Sequence, residues 1–221
     1  MGMGENIIVL IGPPGCGKGT QAAVLSELLN IPVISTGAIL RAECESGTQL
    51  GNAVKATLSR GELVSDAVMN QVVAGWIARP QCEHGFLLDG YPRTVPQAMF
   101  LDDTLESLGK PQPTVIQIDV PAKVLVERIT GRRQCPSCSK IYHLRHSPPV
   151  RDGICDQDGM ALMRRADDTK AVIHERLRRY EEATAPLIEY YREMDFHSVD
   201  GSDNPAIVLE AIEAALGLPV W

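Results

Sequence analysis

The sequence has few aromatic residues and fewer basic than acidic ones. Phe, Trp and Tyr make up 5% of its 221 residues, and 21 Lys and Arg face 28 Asp and Glu, which gives a net charge of −7. Nucleic acids and anionic membranes favour basic surfaces, and single-strand binders also use aromatic side chains. The composition therefore argues against both kinds of partner. It leaves open a small phosphorylated ligand, which needs only a local cluster of cations.

Long apolar runs are also missing. The run Ile7–Ile11 is far shorter than the roughly 20 residues that span a bilayer. The N-terminal residues lack the basic region and apolar core of a signal peptide. No repeat with a period of 20–50 residues is visible, which argues against solenoids and propellers. We therefore expect a cytoplasmic protein with no membrane partner, acting as a monomer.

Short apolar runs alternate with amphipathic stretches. Strands are predicted at Ile7–Ile11, Pro32–Ile34, Phe86–Leu88, Val115–Val120 and Phe196–Val199. Helices are predicted at Thr20–Leu29, Ser65–Ile77, Lys123–Ile129, Lys170–Tyr191 and Ala206–Leu216. Apolar strands separated by helices are typical of an α/β fold in which helices cover both faces of a parallel sheet. We expect five parallel strands.

Two segments interrupt this alternation. Residues 35–64 read as short polar helices separated by glycines, and residues 131–168 are rich in Pro, Gly, Cys, Arg and Asp. Both are predicted to be insertions at the edge of the sheet, where ligands bind beyond the carboxyl ends of the strands. The core domain would then comprise residues 1–34, 65–130 and 169–221.

A glycine-rich loop, Gly12–Thr20, follows the first strand and leads into a helix. In this context it indicates a P-loop, because glycines allow backbone N–H groups to approach phosphate oxygens closely. Lys18 is expected to reach the β- and γ-phosphates, and the Thr20 hydroxyl to face Mg²⁺. The usual spacing places Ser or Thr directly after Lys, whereas here Gly19 intervenes. The loop predicts nucleotide binding but does not identify the reaction.

Six cysteines are present, and some of them follow a metal-site spacing. Two Cys-x₂-Cys/Asp pairs, sixteen residues apart, could close a tetrahedral site. Four protein ligands leave no open position, so the metal would be structural. The spacing predicts zinc on Cys135, Cys138, Cys155 and Asp158. The alternative is a metal-free segment with spare cysteines.

Several motifs, in order, resemble the adenylate kinases, a family of nucleoside-monophosphate kinases. They include the Gly-Lys-Gly-Thr form of the P-loop and Ser35-Thr36-Gly37 followed by Arg41. The run Leu87–Ala98 is close to the family signature, and Gly131-Arg132-Arg133 and Arg165–Asp168 bracket a segment that is similar to the family's long lid. The resemblance covers nearly the whole chain. A matching cysteine spacing occurs in the zinc-binding members.

This resemblance implies reversible transfer of the terminal phosphoryl group from Mg·ATP to AMP, which gives two ADP and serves adenine nucleotide homeostasis. It implies that residues 35–64 bind the monophosphate and that residues 131–168 form a zinc-stapled lid. The expected cofactors are Mg²⁺ and structural Zn²⁺. The expected partners are ATP, AMP and ADP.

The resemblance also assigns site residues. The predicted catalytic residues are Lys18, Arg93, Arg128, Arg132, Arg165 and Arg176. The predicted ATP contacts are Gly15, Cys16, Gly17, Lys18, Gly19, Thr20, Arg132, Ile141, Tyr142 and Asp203. The predicted AMP contacts are Thr36, Arg41, Glu62, Leu63, Val64, Gly90, Arg93, Gln97, Arg165 and Arg176. Guanidinium groups suit this chemistry because their planar fork binds phosphate oxygens bidentately and stays charged.

Two acidic residues complete these predictions. Asp89 ends an apolar strand beside the P-loop, and together with Thr20 it is expected to hold Mg²⁺ through water. A turn-forming Asp before Gly90 is the rival interpretation. Asp168 is expected to be the N-cap of the helix that carries Arg176.

Other functions compete with this one. A zinc-ribbon P-loop NTPase could use hydrolysis as a switch, although the acidic net charge argues against RNA as its target. Within the kinases, another nucleoside monophosphate as acceptor or GTP as donor remains open. Production of ADP from both nucleotides would distinguish the kinase from the switch.

Overall fold

The computed structural model describes residues 6–218. The first and last few residues of the predicted core, 1–5 and 219–221, therefore lie outside the described residues. The strands are β1 Asn6–Ile11, β2 Val33–Ser35, β3 Gly85–Asp89, β4 Thr114–Asp119, β5 Arg132–Gln134, β6 Ile141–His143 and β7 Phe196–Asp200. Five of them pair in parallel in the order β2-β3-β1-β4-β7. The prediction of a five-stranded parallel sheet is confirmed.

Helices connect the strands and cover both faces of the sheet. They are α1 Lys18–Leu29, α2 Thr36–Glu45, α3 Gln49–Ser59, α4 Asp66–Ile77, α5 Val95–Ser107, α6 Ala122–Gly131, α7 Lys170–Arg179, α8 Pro186–Tyr191 and α9 Pro205–Ala215. A 3₁₀ turn spans Pro80–Cys82 and a π-helical turn spans Tyr180–Thr184. No helix among residues 6–218 is both long and apolar enough to cross a bilayer.

The central strands β1 and β3 are almost wholly apolar because they are buried on both faces of the sheet. Neighbouring residues of a strand point to opposite faces of the sheet. Val9 and Leu88 accordingly belong to one apolar cluster, and Ile8 and Leu87 belong to the other. This arrangement fixes the carboxyl ends of the strands, and the loops that follow them, on a rigid platform.

The predicted helical stretch Lys170–Tyr191 is confirmed, but its hydrogen-bond pattern changes in the middle, where a π-helical turn separates two α-helices. Helix α7 ends at Arg179, and the N–H of Ala185 then bonds to the carbonyl of Tyr180 at 2.8 Å, a spacing of five residues. Pro186 follows and has no N–H with which to continue the ordinary ladder. The extra residue of the π turn places Thr184 where its hydroxyl donates to the Arg93 carbonyl at 2.9 Å.

Both predicted insertions have structure of their own. Residues 35–64 contain α2 and α3, which pack against each other. In residues 131–168, hereafter the cysteine segment, β5 and β6 pair antiparallel, and Cys135, Tyr142 and Cys155 are buried together. This small cluster is separate from the two cores of the sheet.

Candidate active site

The loop between β1 and α1 is a tight turn whose backbone carbonyls accept hydrogen bonds from Lys18. Gly15 and Gly17 have φ angles of 88° and 108°, in the left-handed region that favours glycine. A Cβ on Gly12 would lie 2.5 Å from the carbonyl oxygen of Ile118. The Lys18 ammonium donates to the carbonyls of Gly12 at 2.6 Å and Pro13 at 3.0 Å. Glycines and lysine together hold the loop at the tip of the first strand.

This loop forms one wall of a cavity of about 900 Å³. Most of the residues predicted to bind nucleotide or Mg²⁺ line it: Gly15, Cys16, Gly17, Lys18, Gly19, Thr20, Arg41, Leu63, Asp89, Gly90, Arg93, Arg128, Arg132, Ile141, Tyr142, Arg165, Arg176 and Asp203. Thr36, Glu62, Val64 and Gln97 are not part of its lining. The volume is within the range of small-molecule sites in proteins.

Arginines and two aspartates form a charged cluster on the wall of the cavity. The Arg132 guanidinium donates to both carboxylate oxygens of Asp168, at 2.9 and 2.5 Å. Arg176 Nη1 lies 3.0 Å from Asp167 Oδ2 and 3.6 Å from Asp168 Oδ1. The expectation that Asp168 caps α7 is wrong, because the side chain of Thr169 caps it. Asp168 is instead held by arginines.

Burial disfavours the positive charges of the arginines in this cluster. Burial lowers the pKa of Arg165 to about 9, with Arg132 and Arg41 lowering it further. Burial likewise lowers the pKa of Arg176 to about 10, although Asp167 opposes the shift. The pKa of Arg93 is also lowered by burial. Cations whose charge is disfavoured in this way gain stability when an anion enters the cavity.

Asp89 lies at the end of β3, next to the P-loop. Ser35 Oγ donates to Asp89 Oδ2 at 2.9 Å, and a Cβ on Gly19 would lie 3.6 Å from the same oxygen. Asp89 and the Thr20 hydroxyl both line the cavity. Carboxylate and hydroxyl oxygens are the ligands that Mg²⁺ prefers, so these two residues fit the predicted metal.

Comparison with known proteins gives a consistent result. The family model described as "Adenylate kinase" matches residues 10–196. A protein named adenylate kinase from Moorella thermoacetica is 47% identical over 211 residues, which cover 95% of this chain and 97% of that protein. The chain belongs to the adenylate kinase family. Like the other members, it is a nucleotide-binding kinase.

Adenylate kinases of distant organisms are similarly close. The one from Anaeromyxobacter dehalogenans is 44% identical over 96% of this chain and 99% of its own length. The one from the archaeon Methanosarcina acetivorans is 46% identical, with coverage of 95% and 97%. The match therefore extends across the core, residues 35–64 and the cysteine segment alike.

One predicted catalytic residue of this adenylate kinase family member is held by backbone groups. Arg128 donates to the carbonyls of Gly201 at 2.6 Å, Ser202 at 2.8 Å and Asp203 at 3.3 Å. It thus joins the end of α6 to the loop before α9. Arg128 also lines the cavity, so its predicted contact with phosphate stays a prediction.

The residues predicted to contact the acceptor divide into two groups, those that line the kinase's cavity and those that are not part of its lining. Thr36 Oγ1 donates to the Gly90 carbonyl at 2.8 Å, and Arg93 Nε donates to the same carbonyl at 2.8 Å. Gln97 is 2% exposed. The Glu62 side chain pairs with Arg60 at the surface, and its backbone N–H donates to the Thr57 carbonyl at 3.2 Å, so the predicted backbone contact would have to use the Glu62 carbonyl.

Sequence reasoning missed the carboxylates that hold the site residues in place. Asp167 and Asp168 pair with arginines, and Asp66 accepts a hydrogen bond from the Gln97 side chain at 2.7 Å. For Asp167 and Asp168, the neighbouring Arg165 was a sequence signal of a role in the site. The sequence offered no comparable signal for Asp66, because it lies 31 residues from its partner.

The predicted zinc ligands of the kinase converge on one point. One ligand atom from each of Cys135, Cys138, Cys155 and Asp158 lies within 4.8 Å of all the others. Cys138 Sγ lies 3.5 Å from Cys155 Sγ, and Cys135 Sγ lies 3.1 Å from Asp158 Oδ2. Three sulfurs and one carboxylate are a donor set that suits tetrahedral zinc. The group could therefore hold the ion.

Proposed function

We propose that this kinase transfers the terminal phosphoryl group of Mg·ATP to AMP and back, so that one ATP and one AMP become two ADP. The oxygen of the AMP phosphate attacks the γ-phosphorus, and the bond to the β–γ bridging oxygen breaks. We further propose that the enzyme works as a cytoplasmic monomer and serves adenine nucleotide homeostasis. Membership of the family and the shape of the cavity support this proposal.

One observation carries it. Guanidinium groups from distant parts of the chain converge on the cavity that the P-loop borders, including Arg41, Arg93, Arg132, Arg165 and Arg176. Phosphoryl transfer needs in-line positioning and cations around the migrating group rather than covalent help from the protein. Each preorganised donor in such a site typically contributes about 3–4 kcal/mol to transition-state stabilisation. A nucleotide-binding switch does not need a second, arginine-rich half of this kind.

The roles of these arginines follow from their neighbours. Arg41 belongs to residues 35–64, and Arg93 shares the Gly90 carbonyl with Thr36 of the same segment, so both arginines are assigned to the AMP phosphate. Arg132 belongs to the cysteine segment and is assigned to ATP; Asp168 holds its Nε and Nη2, which fixes the guanidinium plane. Arg165 and Arg176 are assigned to the transferring group.

The two metals have different tasks in this proposal. Mg²⁺, held through water by Thr20 and Asp89, would neutralise charge on the ATP phosphates. Zinc on the three cysteines and Asp158 would have no free coordination position, so its contribution is to the folding of the cysteine segment. That segment would act as a lid that excludes water, which otherwise competes with AMP for the phosphoryl group.

The test is a screen of phosphate acceptors. The full chain with Mg·ATP is mixed with AMP, CMP, UMP, GMP or dTMP, and with GTP in place of ATP, and the products are followed by ³¹P NMR. We expect ADP to form from both ATP and AMP, and to form much faster with AMP than with the other acceptors. Lys18→Met provides the inactive control. Phosphate release that does not depend on AMP would instead support the switch, and faster turnover of another acceptor or donor would reassign the substrate.

A further inference from the structure

We propose that Asp66 is a positioning residue that fixes the orientation of the Gln97 side-chain amide, and that it thereby makes the acceptor site select 6-aminopurine over 6-oxopurine monophosphates. The inference rests on the proposed function, in which Gln97 contacts the acceptor base. It adds a residue to that site and a physical reason for its selectivity.

Two groups of known polarity hold the amide. Gln97 Nε2 donates to Asp66 Oδ1 at 2.7 Å, and Gln97 Oε1 accepts from the backbone N–H of Arg93 at 2.8 Å. A carboxylate oxygen accepts and a backbone N–H only donates. The reversed amide would turn its oxygen to the carboxylate and its NH₂ to the N–H of Arg93. Both contacts would become repulsive, so the two partners select one orientation.

The clamp is itself held in place. Thr94 Oγ1 donates to the other Asp66 oxygen at 3.0 Å and accepts from the N–H of Gln97 at 3.3 Å, which caps α5. Asp66 is in the first turn of α4, so its position is set by a different helix from the one that carries Gln97. Gln97 is only 2% exposed, and little room remains for the amide to rotate.

The fixed orientation has a consequence for the base. Each clamp contact uses one of the two N–H groups or one of the two lone pairs of the amide, which leaves one donor and one acceptor. Adenine offers a 6-amino donor beside the N1 acceptor, which matches the remaining pair. Hypoxanthine offers the opposite, a 6-oxo acceptor beside an N1 donor, and would require the reversed amide. A site that leaves buried polar groups unpaired rejects its ligand strongly.

AMP and IMP form the sharpest test, because they differ only at this edge of the base. Acceptor kinetics are measured with saturating Mg·ATP for the wild type, for Asp66→Asn and for Ser65→Ala. An asparagine can turn either its donor or its acceptor toward Gln97, so this end of the clamp no longer excludes the reversed amide. The ratio of kcat/KM for AMP to that for IMP should fall by about tenfold, the factor that corresponds to the loss of one hydrogen bond to a charged group.

Ser65→Ala is the matched control. Ser65 is the exposed neighbour of Asp66 and its side chain makes no capping bond, so the AMP to IMP ratio should be unchanged. Asp66→Glu restores an acceptor-only group and should recover part of the selectivity. An unchanged ratio in Asp66→Asn, or an equal loss for both acceptors, would overturn the proposal, since a purely structural role lowers both alike.

A second readout separates this inference from the proposed function. In ¹⁵N NMR spectra of the full chain without nucleotide, the Gln97 side-chain amide should exchange slowly in the wild type and in Ser65→Ala, and rapidly in Asp66→Asn. If the wild type failed to use AMP, the proposed function would fail while slow exchange still supported the clamp. Rapid exchange in the wild type would refute the clamp whatever the substrate.

Discussion

Asp168 is completely buried and accepts two hydrogen bonds from the guanidinium of Arg132, a residue at the other end of the cysteine segment. Arg132 is itself only 13% exposed. The pair therefore connects the start of the cysteine segment, directly after α6, to its end, just before α7. It also holds a cation at the edge of the nucleotide cavity in one orientation.

Removal of this carboxylate should be costly. Asp168→Ala leaves Arg132 as a buried charge without its partner, and we expect the free energy of unfolding to fall by about 3–5 kcal/mol. Urea denaturation measures the change. Arg178→Ala is the control, because its pairs with Glu175 and Glu182 lie at the surface, where water and salt screen them, and should contribute little. Equal losses in the two variants would contradict the expectation.

Asp167 should make stability depend on pH. Burial raises its pKa, but Arg176, Arg41 and other cations more than offset this, so its pKa in the folded protein is below the ordinary value. A lowered pKa stabilises the fold at pH values above the unfolded pKa of about 4, and this contribution disappears as the pH falls through the folded pKa. The stability difference between the wild type and Asp167→Asn should therefore be constant from pH 7 to about 5 and shrink below 4. Urea denaturation at each pH tests this, and a difference that does not vary with pH would count against it.

The cysteine segment should depend on its metal. Cys135→Ser removes one of the four candidate ligands, and we expect the melting temperature of the zinc-loaded protein to fall by about 10 °C. Nucleotide affinity at the P-loop should change little, because the sheet has its own core. Cys44→Ser is the control: its thiol donates a hydrogen bond to the Gly51 carbonyl and, among the described residues, belongs to no group of candidate metal ligands. Identical melting curves with and without a strong chelator would rule out the zinc site.

Gly51 controls how closely α3 approaches α2. A Cβ at this position would lie 2.0 Å from the carbonyl oxygen of Glu43, so Gly51→Ala forces the two helices apart at a cost of about 1–3 kcal/mol. Because residues 35–64 are assigned to the acceptor, KM for AMP should rise while KM for ATP stays constant. Gly75→Ala is the control, since a Cβ added at this position in the last turn of α4 would meet no heavy atom within 4 Å outside its own helix backbone, and it should stabilise the protein by about 0.5–1 kcal/mol. A parallel rise in both KM values would argue against the assignment of this segment.

The sheet and the P-loop could be predicted because their signals are local. Five apolar runs and a glycine-rich turn specify strands and a loop whatever the rest of the chain does. Pro186 was a signal for the π turn after Arg179, but the amphipathic pattern continues past it and predicts only an uninterrupted α-helix. Here the missing N–H of Pro186, and not the amphipathic periodicity, determined the hydrogen-bond pattern of the helix.

The partners of the site residues could not be predicted, because folding decides them. Either Asp168 or Thr169 could cap α7, and the buried Arg132 takes the first, so Thr169 becomes the cap. Arg128 bonds to the carbonyl of Gly201, 73 residues away, although sequence reasoning directs it to phosphate. Pairings over such distances depend on the topology of the whole sheet.

The ion pair between Arg132 and Asp168 also has an evolutionary consequence. Because Arg132 and Asp168 join the two ends of the cysteine segment, the segment is attached to the five-stranded core as a single closed loop. Doubling the length of a flexible loop raises the entropic free-energy cost of closing it by only about 0.6 kcal/mol. Natural variation or protein engineering could therefore shorten, extend or replace the stretch between these two residues, including its three cysteines. The parallel sheet would remain intact.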